Sequence, residues 1–102
     1  MQVINIHKCL SNLKEHWHPK LVSMGDFQLR FVKFIGEFEW HCHNHSDKIV
    51  YVVSGQMFID YPNANRVWLN AGDCCVVEKH CEHKPGALKE CAIVLIEQSV
   101  SV

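Results

Sequence analysis

Trp40-His41-Cys42-His43-Asn44-His45-Ser46-Asp47-Lys48 runs directly into Ile49-Val50-Tyr51-Val52-Val53-Ser54-Gly55. Successive side chains of an extended chain alternate between two faces, so His41 and His43 point the same way. Two imidazoles on one face can share a metal ion. The apolar run behind them ends at Ser54-Gly55 and reads as a strand that turns back. A third histidine, His83, follows a later apolar run and turn. The pattern predicts a three-histidine site assembled from separate strands of a β-barrel.

Outward from that stretch the chain is mostly short strands. Residues 27–35 carry Phe27, Leu29 and Phe31 on one face and Val32 and Phe34 on the other. A strand apolar on both faces needs a cover on each, and a second copy of the chain is expected to supply one of them. Gly36 marks a bend before a strand over 38–43. Further strands are expected over 49–53, 57–61, 66–69, 74–77 and 91–97. Gly25-Asp26, the polar run 44–47, Gly55, Pro62-Asn63-Ala64-Asn65 and Asn70-Ala71-Gly72-Asp73 are the turns. Residues 78–85 read as a polar loop and Gly86 as a second break. Closely spaced short strands of this kind make a sandwich or barrel. At the N-terminus Ile6, Leu10, Leu13 and Trp17 form one helical stripe, with Asn5 as a cap and Pro19 as the stop. An irregular arm packed on the barrel is the alternative for residues 1–20.

The 102 residues suit one domain, with the barrel over 21–98. A formal charge of −1 leaves no electrostatic footprint for nucleic acid or an anionic membrane. The apolar runs are far too short to span a bilayer. Six cysteines occur without a Cys-x-x-Cys pair or an apolar leader. Cys74, Cys75 and Cys91 sit inside apolar runs, where a free thiol behaves as a small hydrophobe. The expectation is six free thiols in a reducing cytoplasm.

These residues resemble the small single-domain cupins. The first cupin motif spaces His-x-His, a glutamate and a glycine; His41, His43 and Gly55 match it. The second leads from a glycine through Pro-x-Gly to a histidine; Gly72 and His83 match it. Trp17, Pro19, Gly36-Glu37-Phe38-Glu39-Trp40-His41 and Glu82 to Pro85 match features of the small members. The resemblance covers nearly the whole chain. It implies an all-β fold, a double-stranded β-helix (jelly-roll) barrel with a short N-terminal helix or arm, and a homodimer. It also implies a divalent metal (zinc, iron, nickel or manganese) on His41, His43 and His83, and a small-molecule ligand. Some such proteins are labelled mannose-6-phosphate isomerase-like, a label that rests on fold analogy.

Three positions depart from the motifs. Lys48 stands where the motif has its glutamate, Glu78 where it has proline, and His80 where it has glycine. An ammonium repels a metal ion. Asp47 is the nearest carboxylate, but strand parity from Gly55 turns it outward, so a bulge is needed to bring it in. His45 shares parity with His43 and falls on the turn. Glu39 shares the inward parity of His41, and a Glu39–Lys48 pair across neighbouring strands would neutralise two inward charges. Lys48, Glu39, Asp47 and His45 are therefore the candidates around the three ligands. Two functions follow: a metal-dependent enzyme, sugar isomerase-like or oxygenase-like by resemblance, or a non-catalytic cupin in which Lys48 binds an anion.

Overall fold

In the computed structural model, which describes residues 1–99, a short helix precedes seven strands. The helix is α1 (Ile6–Ser11), and the strands are β1 (Lys20–Met24), β2 (Phe27–Glu37), β3 (Lys48–Ser54), β4 (Gln56–Tyr61), β5 (Asn65–Asn70), β6 (Cys74–Val77) and β7 (Lys84–Gln98). All pairings are antiparallel. The sheet runs β1-β2-β7-β3-β6, with β5 on β4 and β4 on the start of β7. Strand β7 is the spine. Its first residues pair with β4, and its later residues lie between β2 and β3. One long strand shared by two groups of neighbours rolls the sheet into a jelly-roll barrel. No helix among the described residues is long and apolar enough to cross a membrane.

Alternation along the strands builds the interior. Val32 and Phe34 of β2, Val50 and Val52 of β3, Met57 and Ile59 of β4, and Ile93 of β7 form one buried cluster. The opposite face of β2 and β7 is covered from within the chain. Leu10 of α1 packs with Phe31, Ala92 and Val94, flanked by Ile4 and Leu13. The second cover expected from a partner copy is thus supplied by the N-terminal arm at Phe31. Asn5 caps α1 as its sequence implies, its side-chain oxygen accepting the Lys8 N–H at 2.9 Å.

Several expected elements differ. The helix ends at Ser11, so Trp17 is not on its stripe. Trp17 has a φ of +63° and donates its indole N–H to the Ile35 carbonyl at 3.1 Å. It stacks on Phe34 and Phe38, closing one side of the barrel mouth. Strand β1 is a further element, a short edge in which Leu21 is exposed and only Val22 and Met24 are half-buried. Residues 38–47 form no strand, because only His41 finds a sheet partner, His83. Gly86 is not a break. It lies inside β7 because a Cβ there would sit 2.4 Å from the Phe58 ring, so it serves close packing rather than a turn. The six cysteines are free, as expected, but Cys74 is exposed and Cys75 half-buried; Cys91 alone of the three is buried.

Candidate metal centre and ligand cavity

The three motif histidines converge although they come from two loops. His41 and His83 exchange backbone hydrogen bonds of 3.0 and 2.9 Å, which holds the two loops together. His43 is tied to the second loop by the His80 N–H, which donates to its carbonyl at 2.7 Å. His80 itself has a φ of +65°, so the motif-glycine position does require the left-handed region. An Nδ1 donation to Asn44 Oδ1 at 3.1 Å helps to hold histidine there.

One ring nitrogen from each of His41, His43 and His83 lies within 4.8 Å of the others. The backbone sets two of the tautomers. His41 Nδ1 donates to the Glu39 carbonyl at 2.8 Å, and His83 Nδ1 donates to the Cys81 carbonyl at 2.9 Å. A carbonyl only accepts, so both rings carry their proton on Nδ1 and offer the Nε2 lone pair. Metal-binding histidines are commonly oriented in this way. Burial, then Lys48 and the two neighbouring imidazoles, pushes His43 down to about 4 against the opposing pull of Glu97. Burial likewise lowers His83, which its bond to Cys81 partly offsets. Both shifts favour the neutral imidazole at His43 and His83, the form that metal ligation requires.

That shift has a stability consequence. Between pH 6.5 and about 4 the unfolded chain binds a proton at His43 that the folded chain does not. Stability then rises with pH across this window and is lost as pH falls through it. The melting temperature of metal-free protein should fall from pH 7 to pH 4, and His43→Gln should flatten the slope. Parallel profiles for the two proteins would show that His43 is not held neutral.

The remaining candidates fall elsewhere. Asp47 is exposed and accepts the Lys79 N–H at 2.9 Å, so it staples the loop before His83 rather than reaching the histidines. His45 is exposed and donates from Nε2 to the Gln98 carbonyl at 3.2 Å. Lys48 is buried and faces the cavity, but its ion-pair partner is not Glu39. Glu39 is exposed, because the chain from residue 38 onward has left the sheet. The partner is Glu97 of β7, with Oε2 3.4 Å from Lys48 Nζ. Glu97 Oε1 accepts from Arg30 Nε at 2.9 Å. Burial works to raise the Glu97 pKa, but Lys48 and Arg30 together hold it below the ordinary carboxylate value. Glu97 and Arg30 were not among the sequence candidates. The available signal was parity: Glu97 shares a strand face with Leu95 and Ile93, and Arg30 with Val32 and Phe34.

Of these groups, Lys48 and Arg30 line one cavity of about 190 Å³ inside the barrel. The three imidazoles lie on its wall with Lys48 and Arg30. Phe34, Val50, Met57, Ile59, Val77 and Leu95 supply apolar surface. The Cupin domain family profile matches residues 32–97, which spans the three histidines, Lys48 and Glu97 but not Arg30. The chain belongs to the cupin family.

Known proteins are similar to it along most of the chain. The crystal structure of the Neisseria meningitidis protein NMB1881 is 35% identical with a TM-score of 0.92, covering 96% of this chain and all of that one, 100%. A cupin-2 domain containing protein of Shewanella frigidimarina is 38% identical with a TM-score of 0.88, over 95% of each chain. The Bacillus subtilis protein YdbB is 28% identical over 81 residues, 78% of this chain and 72% of its own length.

Proposed function

We propose that this cupin binds a divalent first-row metal on His41, His43 and His83 and holds a small polar ligand in the barrel beside it. One observation carries this reading. The rings of His41 and His83 are held by backbone carbonyls at Nδ1, which leaves each Nε2 free to ligate, and one ring nitrogen of each of the three histidines lies within 4.8 Å of the others. Zinc, iron, nickel and manganese all suit the site, with coordination positions left open as catalytic centres keep them. When bound, such an ion polarises a ligand oxygen or activates water, the chemistry that both the sugar-isomerase-like and the oxygenase-like expectations require. Lys48, in the motif-glutamate place, does not ligate; its charge is shared with Glu97 at the side of the site.

Elemental analysis of protein purified without tag, nickel column or chelator tests this reading. Near-stoichiometric metal in the wild type and none in His83→Ala is expected. Added metal at a hundred times its dissociation constant should stabilise the fold by about 2.7 kcal/mol, roughly ten degrees or more for a domain of this size. Absence of both metal and thermal shift would overturn it.

We further infer a homodimer. Exposed Ile49 and Tyr51 of β3 pair across the sheet with Val76 and Cys74 of edge strand β6, leaving an apolar outer face. Sedimentation should show a dimer that Val76→Lys converts to a monomer; a monomeric wild type would remove the idea. The free thiols suit a reducing cytoplasm.

A further inference from the structure

The floor of the barrel cavity carries more positive charge than the chain neutralises. Arg30 of β2 and Lys48 of β3 both line it, and both lean on the single carboxylate of Glu97. No Asp or Glu lines the cavity among the described residues. Two cations against one anion leave a surplus of one positive charge. Lys48 has a side chain only 10% exposed, so water compensates it poorly. A buried charge without compensation is strongly unfavourable.

The donors at this floor are also under-used. An ammonium has three N–H donors. Glu97 Oε2, at 3.4 Å, takes one at beyond the usual hydrogen-bond length. Arg30 commits Nε to Glu97 Oε1, and its terminal nitrogens have no side-chain hydrogen bond among the described residues. Beyond these donors and the histidines the lining is largely apolar, with Val32, Phe34, Met57, Ile59 and Leu95 on the same cavity.

We propose that Lys48 and Arg30 form a carboxylate subsite, and that the ligand class is a small monocarboxylic acid with an apolar body. The acid's carboxylate pairs with Lys48 and Arg30, so that two cations face two anions. Its body lies along the apolar wall toward His41, His43 and His83. The cavity of about 190 Å³ is smaller than the sites of drug-sized ligands, about 300–1,000 Å³, which limits the body to a few carbons or one ring. This assignment deepens the reading of the barrel as a ligand site and rests on it. It does not require the metal.

Calorimetry with butyrate, hexanoate and benzoate tests the subsite, each acid paired with its neutral amide. The titrations are run on chelator-stripped protein and again after zinc loading. At least one acid should bind stripped protein stoichiometrically, with its amide about tenfold or more weaker, the effect of losing a charge-assisted hydrogen bond. Lys48→Met should bind that acid no better than the amide while still taking up zinc. Failure of every acid, equal binding of acid and amide, or chloride or phosphate binding as well as the acids would overturn the assignment. So would full acid affinity in Lys48→Met. Failure of the metal reading shows separately, as wild-type protein that takes up no zinc but still binds the acid.

Discussion

Glu97→Gln is expected to destabilise the protein by about 3–5 kcal/mol, the usual cost of removing one partner from a buried ion pair. Glu97 is 6% exposed and is the carboxylate that Arg30 and Lys48 share. The amide keeps the shape and one acceptor but removes the charge that both cations face. Arg30 is 33% exposed and recovers part of its loss in water, which favours the lower end of the range. At roughly four to eight degrees per kcal/mol for a domain of this size, melting should still fall by about ten degrees or more.

Lys48→Met supplies the control. In the wild type it leaves Arg30 and Glu97 as a one-to-one pair and replaces a surplus charge with an apolar side chain. It should be neutral or stabilising. In the Glu97→Gln background it should recover most of the lost stability, a coupling that a double-mutant cycle measures directly. The pH dependence has a fixed sign. Glu97 has a folded pKa below its ordinary value of about 4.5. Its contribution is present above that value and is lost as pH falls through the lower folded one. A Glu97→Gln protein that melts with the wild type would mean that the three side chains do not interact as the structure places them.

Gly55→Ala is expected to cost about 2–5 kcal/mol by chemical denaturation. Gly55 turns β3 into β4 with a φ of +83°, in the left-handed region that costs other residues about 1–2 kcal/mol. A Cβ there would also lie 2.6 Å from the Glu90 carbonyl oxygen and 3.1 Å from Cys91 Cα. Both contacts are backbone of β7, which cannot move aside by changing a rotamer; overpacking of this kind costs about 1–3 kcal/mol more. Gly72 separates the two contributions. Its φ is +92°, but nothing lies within 4 Å of a Cβ there. Gly72→Ala should therefore show the conformational cost alone. Equal losses in the two variants would count against the close approach of the β3–β4 turn to β7.

Much of the fold was legible because it rests on local periodicity. Alternation identified β3, β4, β5, β6 and the core faces of β2, and the turn residues separated them. Parity counted from Gly55 turned Asp47 outward, and the structure finds it there, fastened to Lys79. Histidine spacing placed His41, His43 and His83 inside one barrel. The failures are of a different kind. Residues 38–43 alternate like a strand, yet only His41 finds a sheet partner. Gly86 looks like a turn residue but answers to the Phe58 ring. Trp17 continues a helical stripe beyond the point where the helix stops.

By itself, the sequence determined the barrel class, the three converging histidines and the departure at Lys48 from the cupin motif. The first two follow from residue type, spacing and a side-chain direction that repeats every two residues, and the third from the resemblance to the cupin motif. Only the tertiary structure decided which carboxylate answers Lys48. Glu39 and Glu97 both share inward parity with the residues beside them. The choice depends on sheet order: β7 lies against β3 in a register that pairs Ile49 with Ile96, setting Glu97 beside Lys48, while the chain at Glu39 has already left the sheet. Side-chain direction is a local property of the strand. The neighbour a side chain meets is set by the register of a strand far away in the chain.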